Sequence, residues 1–193
     1  ERLGIDLVAA YFDHQLRGAE ASAAERRVVR ALATRAGVEL VEGEGDVRAE
    51  ARRARQGMEA AARILRYRFL RDAATAKGCG TVATGHTLDD QAETIVLHLA
   101  RGAGLRGLAG MPPRGAWPLG GDGPEVARPL LTLRRADTRA YCAEAAVETV
   151  EDPTNLLLDA ARNLVRLEAL PALRRLNSRV EEALVRVGAA AAD

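Results

Sequence analysis

Apolar residues occur either in short unbroken runs or at helical spacing, and the two patterns alternate along the chain. The runs predict strands at 5–12, 38–41 and 81–84. Helical spacing predicts helices at 19–36, 47–76 (weakened at Gly57), 88–100 and 135–146. The remaining predictions are a Gly- and Pro-rich loop at 102–124, extended chain at 125–133 and 148–150, and helix over 160–192, interrupted near Pro171 and Asn177.

Strands that alternate with helices indicate right-handed βαβ units and a parallel sheet with helices on both faces. The predicted fold class is therefore α/β, a Rossmann-like sheet followed by a helical C-terminal extension. Ligands of such sheets bind beyond the carboxyl ends of the strands. The loops after two predicted strands begin with Asp13-His14 and Gly85-His86, so these are the places where a site is expected.

Composition narrows the class of protein without identifying it. The chain has 193 residues, 48% of them hydrophobic and 28% charged, which is enough to bury a core and argues against disorder. Its two cysteines, Cys79 and Cys142, exclude a disulfide framework, a four-cysteine zinc site and an iron–sulfur cluster held by this chain's cysteines alone. They are typical of reduced thiols in the cytoplasm. No apolar run approaches the roughly 18 residues of a membrane span.

Charge is nearly balanced overall but uneven along the chain. The formal net charge is +1, and Lys77 is the only lysine. Residues 48–71 carry eight arginines against Glu50 and Glu59, a local excess of +6. Such a cluster could contact RNA phosphates or a triphosphate. A solvated helix face is an equally good interpretation of the pattern alone.

The densest group of reactive side chains lies between Thr84 and Thr94. Thr87 stands at the start of a predicted helix, with Asp90 three residues later as in a capping box. Asp90 and Glu93 are three residues apart and so project from one helix face. Two carboxylates there suit Mg²⁺ or a substrate ammonium. The alternative is that Asp89 and Asp90 only cap the helix.

Three weaker signals accompany this group. The segment Arg101–Met111 has four glycines whose backbone N–H groups could bind an anion, or it simply ends a helix. Arg162 and Arg166 are four residues apart on one predicted helix face, which is also typical of a solvated helix. Asp13-His14 could contact a nucleotide or only form a turn.

Taken in order, several segments resemble those of the tRNA(Ile)-lysidine synthetase family, within the PP-loop ATP pyrophosphatase superfamily. The resemblance covers nearly the whole chain. The Gly-His-x-x-Asp-Asp segment occurs more widely in PP-loop enzymes, whereas its combination with the Arg-Gly-x-Gly-Leu-x-Gly-Leu and Asp-x-Thr-Asn segments is specific. The segments are Asp13–Arg17, Ala61–Tyr67, Gly85–Thr94, Arg101–Leu108, Arg128–Leu131, Glu151–Asn155 and Arg162–Arg166.

The resemblance implies a ligase that uses ATP and Mg²⁺ to join L-lysine to the wobble cytidine of the isoleucine tRNA with a CAU anticodon. It implies a catalytic group formed by Asp90, Glu93 and Arg66, with Asp90 also a candidate metal ligand. It leaves homodimer formation open. The implied ATP site comprises Asp13, His14, Gly85 and His86, and the implied lysine or tRNA contacts are Arg63, Arg66, Asp90, Glu93, Arg101, Arg162, Asn163 and Arg166.

The same resemblance predicts domains at 1–155 (catalytic) and 156–193 (helical extension). The family's Ser-Gly-Gly-x-Asp-Ser segment is expected before the Asp13-His14 strand, so we expect this chain to lack the first βα unit and to be inactive alone. Gln15 stands where the family usually has glycine, and Leu167 where it often has histidine. Two alternatives stay open: another PP-loop tRNA-modifying enzyme such as a thiolase, and a non-catalytic nucleotide- or RNA-binding module.

Overall fold

The computed structural model describes residues 4–150 and 161–192. Its elements, in chain order, are β1 (Val8–Asp13), α1 (Ala19–Ala36), β2 (Glu39–Glu44), α2 (Val47–Ala54), α3 (Met58–Ala76), β3 (Thr81–Ala83), α4 (Leu88–Ala100), α5 (Leu105–Leu108), β4 (Arg114–Gly115), β5 (Glu125–Ala127), α6 (Arg135–Glu144), α7 (Ala161–Leu164), a π-helical turn (Val165–Ala169), α8 (Leu170–Arg174) and α9 (Val180–Ala192). The alternation of strands and helices confirms the predicted α/β class.

The chain divides into two compact units. The first contains Glu1–Val82, Ala116–Glu125 and Val147–Val150, and the second contains Ala83–Gly115, Val126–Ala146 and Glu151–Asp193. The predicted domain boundary at 155/156 lies outside the described residues and stays a prediction. Within the described ranges, no helix combines the length and apolar character needed to cross a membrane.

In the first unit, β1 and β2 pair in parallel, from Val8 opposite Glu39 to Asp13 opposite Glu44. This confirms the predicted parallel sheet. The strand predicted over 38–41 is longer in the structure, because β2 continues through Gly43 to Glu44. A Cβ atom at Gly43 would collide with the ring of Phe69, so the absence of a side chain lets the strand pass close to that ring.

The helical stretch predicted over 47–76 is two helices. α2 ends at Arg55, which has a φ of 50°, and Gly57 occupies the N-cap position of α3. Two helices joined by so short a connection can pack against each other. Their contact forms a small core of Val47, Ala51 and Ala61 with the partly buried Ala62 and Leu65.

In the second unit, α9 packs against α4 and α5. Gly188 permits the close approach, since a Cβ atom there would lie 2.8 Å from Cδ1 of Ile95. Near Pro171 the regular α-helix is interrupted as predicted, but by a π-helical turn that keeps the chain helical from 161 to 174. A wide turn can accommodate a residue without an N–H group. The predicted interruption near Asn177 is confirmed, because α9 begins only at Val180.

The strands of the other sheet have the order β3-β5-β4, and β4 pairs antiparallel with β5. The stretch predicted as one loop, 102–124, includes α5 and β4, so that prediction is wrong in part. The extended chain predicted over 125–133 is a strand only at Glu125–Ala127. Turns follow it, and they lead into the start of α6.

Candidate active site

The first turn of α4 is held by reciprocal hydrogen bonds between Thr87 and Asp90. The Asp90 carboxylate Oδ2 accepts from the Thr87 backbone N–H at 2.8 Å and from its hydroxyl at 2.7 Å. The Asp90 backbone N–H in turn donates to the Thr87 hydroxyl at 3.5 Å. This confirms the predicted capping box. It also fixes Asp90 at the end of the loop that follows β3.

Glu93 lies one turn further along α4 and is completely buried, with an exposed fraction of 0%. Three guanidinium groups surround it and reach Asp90 as well. Because this triad neutralises both carboxylates, the buried charge of Glu93 is compensated. The three residues are Arg135 from α6, Arg162 from α7 and Arg166 from the π-helical turn.

Each carboxylate oxygen of Glu93 accepts two hydrogen bonds. Oε1 accepts from Arg135 at 3.0 Å and from Nε of Arg166 at 2.8 Å. Oε2 accepts from Nε of Arg162 at 2.8 Å and from the second donor of Arg166 at 3.1 Å. Arg166 therefore binds Glu93 in the bidentate fork that guanidinium groups make with carboxylates. Oδ1 of Asp90 lies 3.2 Å from Arg135 and 3.4 Å from Arg162.

These contacts set the protonation of the group. Burial alone raises the pKa of Glu93, but the hydrogen bonds from the three guanidinium groups outweigh burial and hold that pKa below its ordinary value. Burial likewise raises the pKa of Asp90, and the hydrogen bonds from Thr87 and the neighbouring positive charges lower it further than burial raises it. Both side chains are therefore anionic at neutral pH.

Arg135 is a site residue that the sequence reasoning missed. It is the first residue of α6, and its backbone N–H donates to the Asp89 carboxylate at 2.7 Å. Burial alone lowers the pKa of Arg135, but its hydrogen bond to Glu93 and the nearby carboxylates raise it by more. The pKa of Arg135 therefore lies above its ordinary value. A signal was present: arginines at 134 and 135 begin a predicted helix, where a positive charge is unfavourable unless a carboxylate compensates it.

The arrangement differs from the open cation site predicted for Asp90 and Glu93. Their oxygens already hold three cations, and the group of two carboxylates and three guanidiniums has an excess of one positive charge. A divalent cation at the same oxygens would be repelled by these arginines, so as arranged the pair does not fit Mg²⁺. In the described ranges, no cluster of three or more His, Cys, Asp or Glu residues is placed to hold a metal ion. The assignment of Asp90 to a metal stays a prediction.

The glycine-rich loop after α4 is packed rather than open. The side-chain amide of Gln91 accepts from the Met111 backbone N–H at 2.8 Å and donates to the Met111 carbonyl at 3.1 Å. Nδ1 of His98 lies 2.5 Å from the Gly107 carbonyl oxygen. A Cβ atom on Gly110 would come within 2.6 Å of Gln91. These contacts give the glycines a packing role, and several N–H groups that might have bound an anion are used within the protein.

The residues predicted for the ATP site occur at the ends of β1 and β3. In the first unit, Asp13 is buried, and its carboxylate accepts from the Gln15 backbone N–H at 2.8 Å and from Arg26 at 3.4 Å. Gln15 has a φ of 51°, which explains why glycine suits this position. The His14 ring packs edge-on against a neighbouring phenylalanine.

In the second unit, Nδ1 of His86 lies 2.8 Å from the Thr84 hydroxyl. A Cβ atom on Gly85 would meet nothing within 4 Å, so this backbone faces open space. Such a surface allows a ligand to approach the main chain closely.

The other predicted site residues are distributed over both units. In the first unit, Arg63 and Arg66 lie over the Tyr67 ring at 4.7 Å and 5.6 Å from its centre. In the second unit, Arg101 is an exposed residue at the end of α4, and Asn163 is half-buried on α7. The Glu151–Asn155 segment of the resemblance lies outside the described residues.

Comparisons with known proteins agree with the predicted resemblance. A profile of the PP-loop domain family matches residues 1–173. The chain is 42% identical over 185 residues to a tRNA(Ile)-lysidine synthase of Dehalococcoides mccartyi, covering 95% of this chain and 39% of that protein. It is 45% identical over 174 residues to the one of Salinispora tropica, covering 90% of this chain and 50% of that protein. The chain thus spans half or less of the length of these curated relatives.

Among solved structures, the chain is similar to the U34-tRNA thiolase NcsA from Methanococcus maripaludis with its [4Fe-4S] cluster. The TM-score is 0.73 at 15% sequence identity, covering 95% of this chain and 61% of the thiolase. At this identity the likeness concerns the fold. Together, the α/β architecture and the match of the profile to most of the chain show that the protein belongs to the PP-loop domain family.

Proposed function

We propose that this protein forms lysidine, by ATP-dependent ligation of lysine to C2 of the wobble cytidine in an isoleucine tRNA with a CAU anticodon. The cytidine O2 attacks the α-phosphate of ATP and releases pyrophosphate, which converts that oxygen into a good leaving group. The side-chain amine of lysine then attacks C2 and loses a proton. The bond between C2 and O2 breaks, and this oxygen leaves as part of AMP. The reaction needs the amine held and deprotonated beside the activated base.

The observation that carries this proposal is the 40–45% identity to tRNA(Ile)-lysidine synthases over 90–99% of the chain. PP-loop domain membership supports ATP as the co-substrate. We also propose L-lysine and the tRNA as partners, Mg²⁺ as the ion that accompanies ATP, and action in the cytoplasm. The proposal leaves homodimer formation open.

Asp90 and Glu93 are the proposed binding groups for the lysine ammonium, with Arg66 beside the reaction centre. The three arginines determine how a lysine ammonium could reach these carboxylates. An incoming ammonium must exchange with a guanidinium group, because the carboxylate oxygens are already shared among three arginines. The released guanidinium of Arg162 can then contact a phosphate. Asp13, His14, Gly85 and His86 are the proposed ATP contacts.

The test is incorporation of labelled lysine into the isoleucine tRNA by the full-length protein with ATP. Asp90→Asn keeps the size of the side chain but removes its charge, and we expect a loss of about 100-fold, the size typical of removing one oriented charged group. Asp122→Asn, in an exposed loop, is the matched control and should keep normal activity. Normal incorporation by Asp90→Asn would refute the role of this carboxylate. A wild-type protein that incorporates sulfur instead of lysine would refute the proposed reaction.

A further inference from the structure

Seven of the eight arginines of residues 48–71 fall into two groups in the structure, and the eighth, Arg55, caps the end of α2 with a φ of 50°. Five have partners within the first unit. Arg53 and Arg68 donate to Glu50 at 2.7 Å and 3.0 Å. Arg71 lies 3.5 Å from a carboxylate oxygen of the next residue along the chain, and Arg63 and Arg66 lie over the Tyr67 ring. These five positive charges are used in stabilising α2 and α3.

Arg48 and Arg52 form a contrasting pair. Both are exposed on α2, and neither guanidinium has a carboxylate partner among the residues that the structure describes. They stand four residues apart, so they share a helix face and lie about 6 Å apart along its axis. Glu50, on the same helix, is occupied by Arg53 and Arg68.

This placement is unfavourable for the helix itself. Like charges four residues apart on a helix cost about 0.2–0.5 kcal/mol. Arg48 also lies in the first turn of α2, where the helix dipole disfavours a positive charge. Arg52 lies in the last turn, where the dipole favours a positive charge, so the unfavourable terms are the position of Arg48 and the repulsion between the two guanidinium groups.

The two arginines border a shallow groove with a volume of about 500 Å³, lined by Arg48, Ala51, Arg52, Gln56 and Met58, which we call the α2 groove. Gln56 also lines the groove, and its Nε2 is buried with no hydrogen-bond partner within the described chain. Ala51 and Met58 give the groove an apolar floor. Two cations, an amide and an apolar floor match a sugar–phosphate strand with a base or ribose against it.

We propose that the α2 groove binds the phosphate backbone of RNA, with Arg48 and Arg52 as the phosphate contacts. The inference rests on the proposed function for its choice of RNA over other polyanions. It also separates these seven arginines by role: Arg48 and Arg52 bind phosphate, and the five residues with partners do not.

The experiment measures binding of a labelled CAU anticodon stem-loop RNA to the full-length protein over a range of salt concentrations. Replacing one phosphate contact should reduce the slope of log affinity against log salt by about 0.7–0.9. We expect this for Arg48→Gln and for Arg52→Gln, and about twice the change for the double variant. Arg48→Lys keeps the charge and should keep the slope.

Arg53→Gln is the matched control, because it removes the same charge from the same helix but from a residue paired with Glu50. Its slope should equal that of the wild type. A wild-type slope in the double variant would overturn the proposal, and so would an equal loss in Arg53→Gln, which would indicate a general effect of net charge. A polyglutamate competitor that binds the groove in preference to the RNA would overturn the choice of ligand.

The outcome is separable from that of the lysine assay. If the wild type binds RNA with the expected dependence on Arg48 and Arg52 but incorporates no lysine, the proposed reaction is refuted and RNA binding at the α2 groove is supported. If lysine is incorporated normally while the salt slope is unchanged by replacing both arginines, RNA binding at the α2 groove is refuted and the proposed reaction is supported.

Discussion

Replacing Glu93 by glutamine should destabilise the protein strongly, although the two side chains have nearly the same shape. Glu93 is fully buried and accepts four hydrogen bonds, two on each carboxylate oxygen. Glutamine turns one of these oxygens into an NH₂ group that faces guanidinium donors. Whichever oxygen is replaced, two charged hydrogen bonds are lost and the triad keeps only Asp90 to compensate it.

The size of the effect follows from these contacts. A hydrogen bond to a charged group contributes about 1.5–3 kcal/mol, so the loss of two gives about 3–6 kcal/mol. Removing one partner of a buried ion pair costs about 3–5 kcal/mol, which agrees. For a chain of this length, about 2–4 °C of melting temperature corresponds to each kcal/mol. Glu93→Gln should therefore lower Tm by about 6–24 °C.

Urea and thermal unfolding, followed by circular dichroism, measure this loss. Glu168→Gln is the matched control: it removes a glutamate charge from the same unit at an exposed position, and its stability should stay within about 0.5 kcal/mol of the wild type. A Glu93→Gln protein whose Tm lies within about 2 °C of the wild type would refute the reasoning, since the triad would then not depend on this carboxylate.

Two further predictions concern acid and the glycine-rich loop. The folded-state pKa values of Asp90 and Glu93 are lowered, so these groups add stability above their unfolded pKa of about 4, and that stability is lost as the pH falls through the folded values. Urea midpoints should therefore fall more steeply between pH 5 and pH 3 in the wild type than in Glu93→Gln, and parallel curves would contradict this. Gly110→Ala should cost about 2–3 kcal/mol, because its φ is +71° and the new Cβ would lie 2.6 Å from Gln91. Gly120→Ala, at φ +73° with nothing within 4 Å, should cost only about 1 kcal/mol, and equal losses of Tm in the two variants would exclude the clash.

Local signals in the sequence predicted the elements that depend on local contacts. α1 and α4 have the predicted bounds, and Thr87 and Asp90 form the predicted capping box, because a cap depends on residues three positions apart. The predictions failed where a contact with a residue distant in the sequence determines the local structure. The predicted strand stops at 41, whereas β2 continues through Gly43, where the Phe69 ring occupies the space that a side chain would need.

The candidate site shows the same division. The pairing of Asp90 with Glu93 on one face follows from helical periodicity and could be predicted. Their three arginine partners lie 42 to 73 residues from Glu93, and no periodic pattern extends so far. The sequence therefore predicted two carboxylates beside each other, but not that arginines already neutralise them. That Arg162 and Arg166 share a helix face was predicted, whereas the part played by Arg135 was not.

The long sequence separations within the arginine triad have a consequence for folding kinetics. Closing such long loops is entropically costly, so contacts of this kind form after the local helical turns. We therefore expect that Glu93 and its partners pair only after the folding transition state, so that disrupting them speeds unfolding and leaves the refolding rate nearly unchanged. Glu93 lies on α4 and the arginines lie on α6, α7 and the π-helical turn, so the triad joins segments that are far apart along the chain. Glu93, which compensates the charge of the three arginines, is thus also expected to slow the unfolding of the second unit.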